Sequence, residues 1–153
     1  MDLNHLESII DEATNKVKEN LTLSSIDIKF IVKIKDINKT NCIAIYRGGT
    51  IRRGDKAIVW ISPEFPQVLS EKIEISISDP DFKHQLLRNL EDTISHELIH
   101  ALQDFLGLLT QTGANFDEEE AENLGLALSR GESIENSNLV QNITAHLKNK
   151  KEA

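Results

Sequence analysis

Residues 81–106 read DFKHQLLRNLEDTISHELIHALQDFL, and this stretch decides how the rest of the chain is understood. Phe82, Leu87, Leu90, Ile94, Leu98, Ala101, Leu102 and Phe105 recur at helical spacing, which predicts one long helix from about Asp81 to Leu106. Asp79-Pro80 is a helix-opening pair, with Asp as cap and Pro at the first position, and Gly107 is a stop signal. Within the helix, His96 and His100 stand four residues apart, so both rings project from one side, one turn apart. Leu87, Ile94, Leu98 and Phe105 centre on the opposite side, while Asn89, Thr93, Glu97 and Asp104 lie beside the histidines. The phase predicts that one face anchors the helix and the other looks into a wet cleft.

Around this helix the pattern is α+β. Leu3, Leu6, Ile9, Ile10, Ala13 and Val17 predict an amphipathic first helix. Alternation from Ile26 to Ile34 predicts a strand with one buried face, and Cys42–Tyr46 and Ala57–Ile61 read as further strands, joined through turn chemistry at Arg47-Gly48-Gly49 and Arg53-Gly54-Asp55. Pro63 and Pro66 interrupt the pattern, and Ile73, Ile75 and Ile77 suggest a fourth strand over Lys72–Ser78. A glutamate-rich helix starts near Asp117 and runs through Leu128, and a last one spans about Asn138 to Lys148, with Leu139, Val140, Ile143 and Leu147 apolar. The expected architecture is a first helix, a small sheet of three or four strands, the long helix, the glutamate helix and a C-terminal helix. Residues 1–153 form a single expected domain, and 131–153 is a candidate segment covering the cleft or acidic face.

Composition narrows the function. The 153 residues, 39% hydrophobic and 27% charged, suffice for one buried core. The net charge of −8 is uneven: residues 1–60 carry ten Lys/Arg against eight Asp/Glu, and residues 61–153 carry seven against seventeen. Nucleic-acid binding needs clustered Lys and Arg, so this balance argues against it. No apolar run approaches the roughly 20 residues of a membrane span. Asp2, Glu7, Asp11 and Glu12 stand where a secretory signal needs positive charge, so a cytoplasmic location is expected. The single cysteine, Cys42, cannot form an internal disulfide and reads as a strand residue, not a zinc-blocking thiolate.

His-Glu-Leu-Ile-His at 96–100 has metal-ligand spacing. Two imidazoles one helical turn apart suit a zinc ion, and Glu97 sits where a general base beside metal-bound water belongs. Solvated surface is the bland reading of such residues, but the motif lies in a helix of the right phase with Leu98 and Ile99 between the histidines. A catalytic zinc site needs a third protein ligand. The metzincin pattern is excluded, because position 103 is Gln and position 106 is Leu where Gly and His are required. Asp104 lies about 12 Å along the same rod from His96, too far to share the ion. The next acidic cluster, Asp117 to Glu122, opens the following helix. Most of it can be explained as complementing the helix dipole. Glu118, Ala121, Glu122 and Gly125, however, share one face whose small residues permit close approach of the long helix. Glu118 is the favoured third ligand, with Glu119 and Glu122 as alternatives, and Glu122 also suits an acceptor for a ligand histidine N–H. His5, His84 and His146 read as surface residues, Trp60 as core, and Tyr46 or an arginine among Arg47, Arg52 and Arg53 as a candidate oxyanion donor.

His96-Glu97-x-x-His100 followed by Glu118-x-x-Ala121-Glu122 resembles the gluzincin pattern of zinc peptidases, in which a glutamate helix supplies the third ligand. The short length, the strands before the motif helix and the brief loop most resemble the minigluzincins and the ImmA/IrrE-type peptidases, the latter usually with Asn where Glu122 stands. The resemblance covers residues 96–128 and the element order. It implies a zinc metalloendopeptidase acting on a protein or peptide substrate, with one zinc ion per chain and an upper strand, expected at Ala57–Ile61, holding extended substrate. A non-catalytic interaction module that keeps the zinc-bound fold is the competing expectation, and the presence of Glu97 argues against it.

Overall fold

The computed structural model describes residues 1–36, 44–48, 56–107 and 114–152. The described elements run α1 (Leu3–Leu23), β1 (Phe30–Ile34), β2 (Ala44–Gly48), β3 (Ala57–Ile61), α2 (Phe65–Ile73), α3 (Phe82–Gly107), α4 (Ala114–Ser129) and α5 (Asn138–Glu152). The architecture is thus α+β. The three strands form one mixed sheet ordered β1-β3-β2, with β3 parallel to β1 and antiparallel to β2. Among the described residues, no helix is long and apolar enough to cross a membrane.

Two expectations about the strands are corrected. The proposed fourth strand at Lys72–Ser78 is instead the end of α2 and a turn. Pro66 falls in the first turn of α2, where its missing N–H costs nothing and its fixed φ favours the helix. Glu74 then takes the left-handed conformation at the helix end, φ 56°, and Ser70 ties the turn by donating its hydroxyl to the Ile75 carbonyl at 2.6 Å. The alternation of Ile73, Ile75 and Ile77 reflects how a turn packs against the core and is not a ladder. Trp60 is also not a core residue. Its register on β3 turns it away from the buried Ala57, Val59 and Ile61, and the Lys35 ammonium lies 3.6 Å from its ring centroid.

The core explains why α3 is so long. Helix α1 presents Leu6, Ile9, Ile10, Ala13 and Val17 to it, β3 presents Val59 and Ile61, and α3 itself buries Phe82, Leu86, Leu90, Ile94, Leu98, Ile99, Ala101 and Leu102. Helix α3 packs against α1, α2, α4, α5 and the sheet, so it is a central rod and not a surface helix with one wet face. The C-terminal stripe belongs to the same core: Ile134, Leu139, Val140 and Ile143 are buried, with α5 against α3.

Polar ties fix the frame that carries α4. Asn20 of α1 donates its amide to the carbonyls of Leu128, at 2.8 Å, and Ser129, at 3.3 Å, capping the end of α4 from across the core. Gly131 follows at φ +78°, a left-handed position suited to glycine after a helix. The buried Ser24 hydroxyl accepts from the Ile134 N–H at 3.1 Å. Ser129 donates to the Asp92 carboxylate, fastening the end of α4 to α3 one turn before His96.

Candidate metal centre

Helices α3 and α4 run antiparallel in close contact, and the contact depends on small residues. A Cβ on Gly125 would lie 2.9 Å from the His96 Cα, so only glycine fits there, and Ala121 is fully buried. The predicted small-residue face of α4 is therefore the surface that lies on the histidines' helix. This approach makes His96 and His100 half-buried, with 22% and 24% of their side chains exposed, instead of solvent-facing.

Their rings meet edge to face, with centroids 4.8 Å apart and planes at 73°. His96 Nε2 lies 3.1 Å from His100 Nε2 and 2.8 Å from Glu118 Oε1, and His100 Nε2 lies 3.4 Å from Glu118 Oε2. Two ligand atoms on one tetrahedral zinc, each about 2.0–2.1 Å from the ion, stand about 3.3 Å apart. The observed separations bracket that spacing. His96, His100 and Glu118 therefore form a group that could hold a metal ion, with ligand atoms within 4.8 Å of one another. The donor set of two imidazoles and a carboxylate is one that zinc accepts.

Each histidine also has a partner for its other ring nitrogen. Glu122 Oε2 lies 3.4 Å from His96 Nδ1, where the sequence suggested an acceptor. For His100 the partner is Gln103, whose Oε1 is 2.8 Å from Nδ1, and Gln103 in turn donates from Nε2 to Glu120 Oε1 at 3.0 Å. Sequence reasoning missed both Gln103 and Glu120. The available signal was that Gln103 stands three residues after His100, on the same side of the helix. Glu119, one of the alternative ligands, is exposed and lies outside the metal-competent group, and Glu97 is half-buried beside His96.

Of the candidate oxyanion donors, Tyr46 and Arg47 lie in β2 with their backbones in register with Val59 and Ile58. Arg52, Arg53 and Cys42 fall outside the described residues. His5 and His84 are exposed, and His84 lines a separate cleft of 320 Å³ with Arg88, Glu91, Asp92, Ser129 and Arg130. In that cleft, burial pushes the Glu91 carboxyl above its ordinary range. The neighbouring Asp92 adds to the shift, and Lys16 and Arg88 oppose it.

The expectation that Ala57–Ile61 holds extended substrate is overturned by the sheet order. β3 is paired on both sides, so neither of its edges is open to another strand. β1 and β2 are the edges among the described strands, and β2 is the one that packs beside α3. Comparison of the chain with family models, with characterised proteins and with solved structures gave no match.

Proposed function

We propose that the chain is a zinc-dependent endopeptidase of the gluzincin type, with His96, His100 and Glu118 as metal ligands and Glu97 as general base. The observation that carries this reading is the convergence of His96 Nε2, His100 Nε2 and the two Glu118 carboxylate oxygens at 2.8, 3.1 and 3.4 Å, from a helical His-Glu-x-x-His and a glutamate on the next helix. His96, His100 and Glu118 would hold the zinc ion, whose Lewis acidity would make a water more acidic and polarise a carbonyl. Glu97 lies roughly 60° around the helix from His100, within reach of that water but off the ligand axis. Its carboxylate would take one proton from the attacking water and return it to the departing nitrogen, which also receives the proton of the new carboxylic acid, so hydrolysis would end with a carboxylate and an ammonium group and Glu97 ionised again. β2, an edge strand among the described residues and the one beside α3, is where an extended peptide would pair, since β3 is paired on both sides.

The test is cleavage of an unstructured protein by the zinc-loaded chain. Glu97→Gln keeps size and hydrogen bonding but removes the base, so turnover should fall by about 10²–10⁴-fold while zinc content stays at the wild-type level. Equal cleavage by the variant and the wild type would remove Glu97 from the mechanism.

A further inference from the structure

Gln103 is an amide held in the core, 7% exposed, between a proposed ligand on its own helix and a carboxylate on the next. The chemistry of its contacts with His100 and Glu120 leaves little freedom. An ionised carboxylate only accepts hydrogen bonds, so the Gln103 NH₂ group must face Glu120 Oε1, at 3.0 Å. That orientation turns Oε1 toward His100 Nδ1, at 2.8 Å, and an amide oxygen also only accepts. The ring proton of neutral His100 must then sit on Nδ1. Its Nε2 is left with a lone pair pointing at His96 Nε2, 3.1 Å away, and at Glu118 Oε2, 3.4 Å away. An acceptor facing a carboxylate in this way is an arrangement that a shared cation satisfies.

We infer that Glu120 and Gln103 form a relay that locks His100 in its Nδ1–H tautomer and so presents Nε2 to a metal ion before the ion arrives. Gln103 is thus a positioning residue for the site, an inference that rests on the metal-binding reading above. The two histidines are supported unequally. His96 Nδ1 faces Glu122 at 3.4 Å, and that glutamate side chain is 62% exposed, whereas the His100 support is short, part-buried and made by the buried Gln103. A tight interior hydrogen bond fixes a ring better than a loose contact at the surface. His100 is therefore the pre-set ligand and His96 the one that the ion itself aligns.

The experiment measures zinc affinity, by competition with a chelating dye, for the full chain and for variants of the relay. Gln103→Met keeps length and packing but removes the hydrogen bonds to His100 and Glu120. Zinc affinity should fall by about 10–100-fold, as for the loss of a partner behind a metal-ligating histidine. The double exchange Gln103→Glu with Glu120→Gln reverses the direction of the outer bond, between positions 103 and 120, and keeps that of the inner one to His100. A carboxylate at position 103 accepts from His100 Nδ1 and from the new amide at 120, so affinity should return to within a few-fold of wild type. In the metal-free chain at mildly alkaline pH, ring nitrogen NMR shifts should report the Nδ1–H tautomer for His100 in the wild type and the double exchange, and a mixture of tautomers in Gln103→Met. Should Gln103→Met not fold, Glu120→Ala tests the same relay from its outer end and should also mix the tautomers. Wild-type zinc affinity in Gln103→Met, or a His100 tautomer indifferent to these changes, would overturn the relay. If the wild type itself binds no zinc, the metal reading fails separately, and the tautomer measurement alone decides the relay.

Discussion

Gly125 of α4 rests on the backbone of His96, with room for no Cβ: an added methyl would stand 2.9 Å from His96 Cα and 3.1 Å from its backbone nitrogen. The contact sets the distance between the helix that carries the two histidines and the helix that carries Glu118. In an open helix, Gly→Ala stabilises by about 1 kcal/mol. Here the obstacle is backbone, which has no flexible end to move aside. Gly125→Ala should therefore destabilise the chain by about 1–3 kcal/mol, as other overpacked sites do, and weaken zinc binding by moving Glu118 from the histidines. Thermal unfolding and a zinc titration on the same variant check both effects. A rise in stability would show that α4 can shift without cost.

Glu91 gives a pH-dependent prediction away from the metal centre. Its folded-state pKa is raised, chiefly by burial and then by Asp92, so its ionised form costs stability above that pKa. The cost fades as pH falls through the raised value and is gone below the ordinary glutamate range, where folded and unfolded chains are both protonated. Glu91→Gln should therefore be more stable than wild type at neutral pH, and the gap should close on acidification through the window just above the ordinary value. Denaturant unfolding at several pH values checks this, and a gap that widened toward acid would reverse the sign.

The C-terminal stripe gives a prediction about folding. Ile134, Leu139, Val140 and Ile143 are core residues, and each large apolar side chain buried is worth about 1.5–3 kcal/mol. Their sum matches the whole stability of a typical domain, about 5–15 kcal/mol. Truncation after Arg130 should therefore leave a chain that no longer unfolds cooperatively. If the truncated chain stays folded and becomes more active, the segment acts as a cover, and its burial contributes less than this sum.

How much of this could be read from the sequence depended on whether the decisive interaction was local. The placement of His96, Glu97 and His100 on one helix was legible because positions within a helix fix their own spacing. Glu118 was legible in part, because Ala121 and Gly125 marked the face that approaches α3. The strand Ala57–Ile61 showed as a short apolar run, and its boundaries agree with the structure. Its central place in the sheet did not show, because pairing order belongs to no single strand. At Ile73, Ile75 and Ile77 a period of two appeared without a strand, since Pro66 had already started a helix. Gln103 and Glu120 meet only through the packing of α3 on α4, and neither residue type signals that by itself.

The central claim is that His96, His100 and Glu118 hold one zinc ion, and equilibrium zinc binding to the purified full chain tests it most directly. The account predicts about one zinc per wild-type molecule, loss of that occupancy in His96→Ala with helical content nearly unchanged, weaker binding in Glu118→Gln, and full occupancy in Glu97→Gln. A wild-type chain that bound no zinc, or zinc binding equal in wild type and His96→Ala, would contradict it.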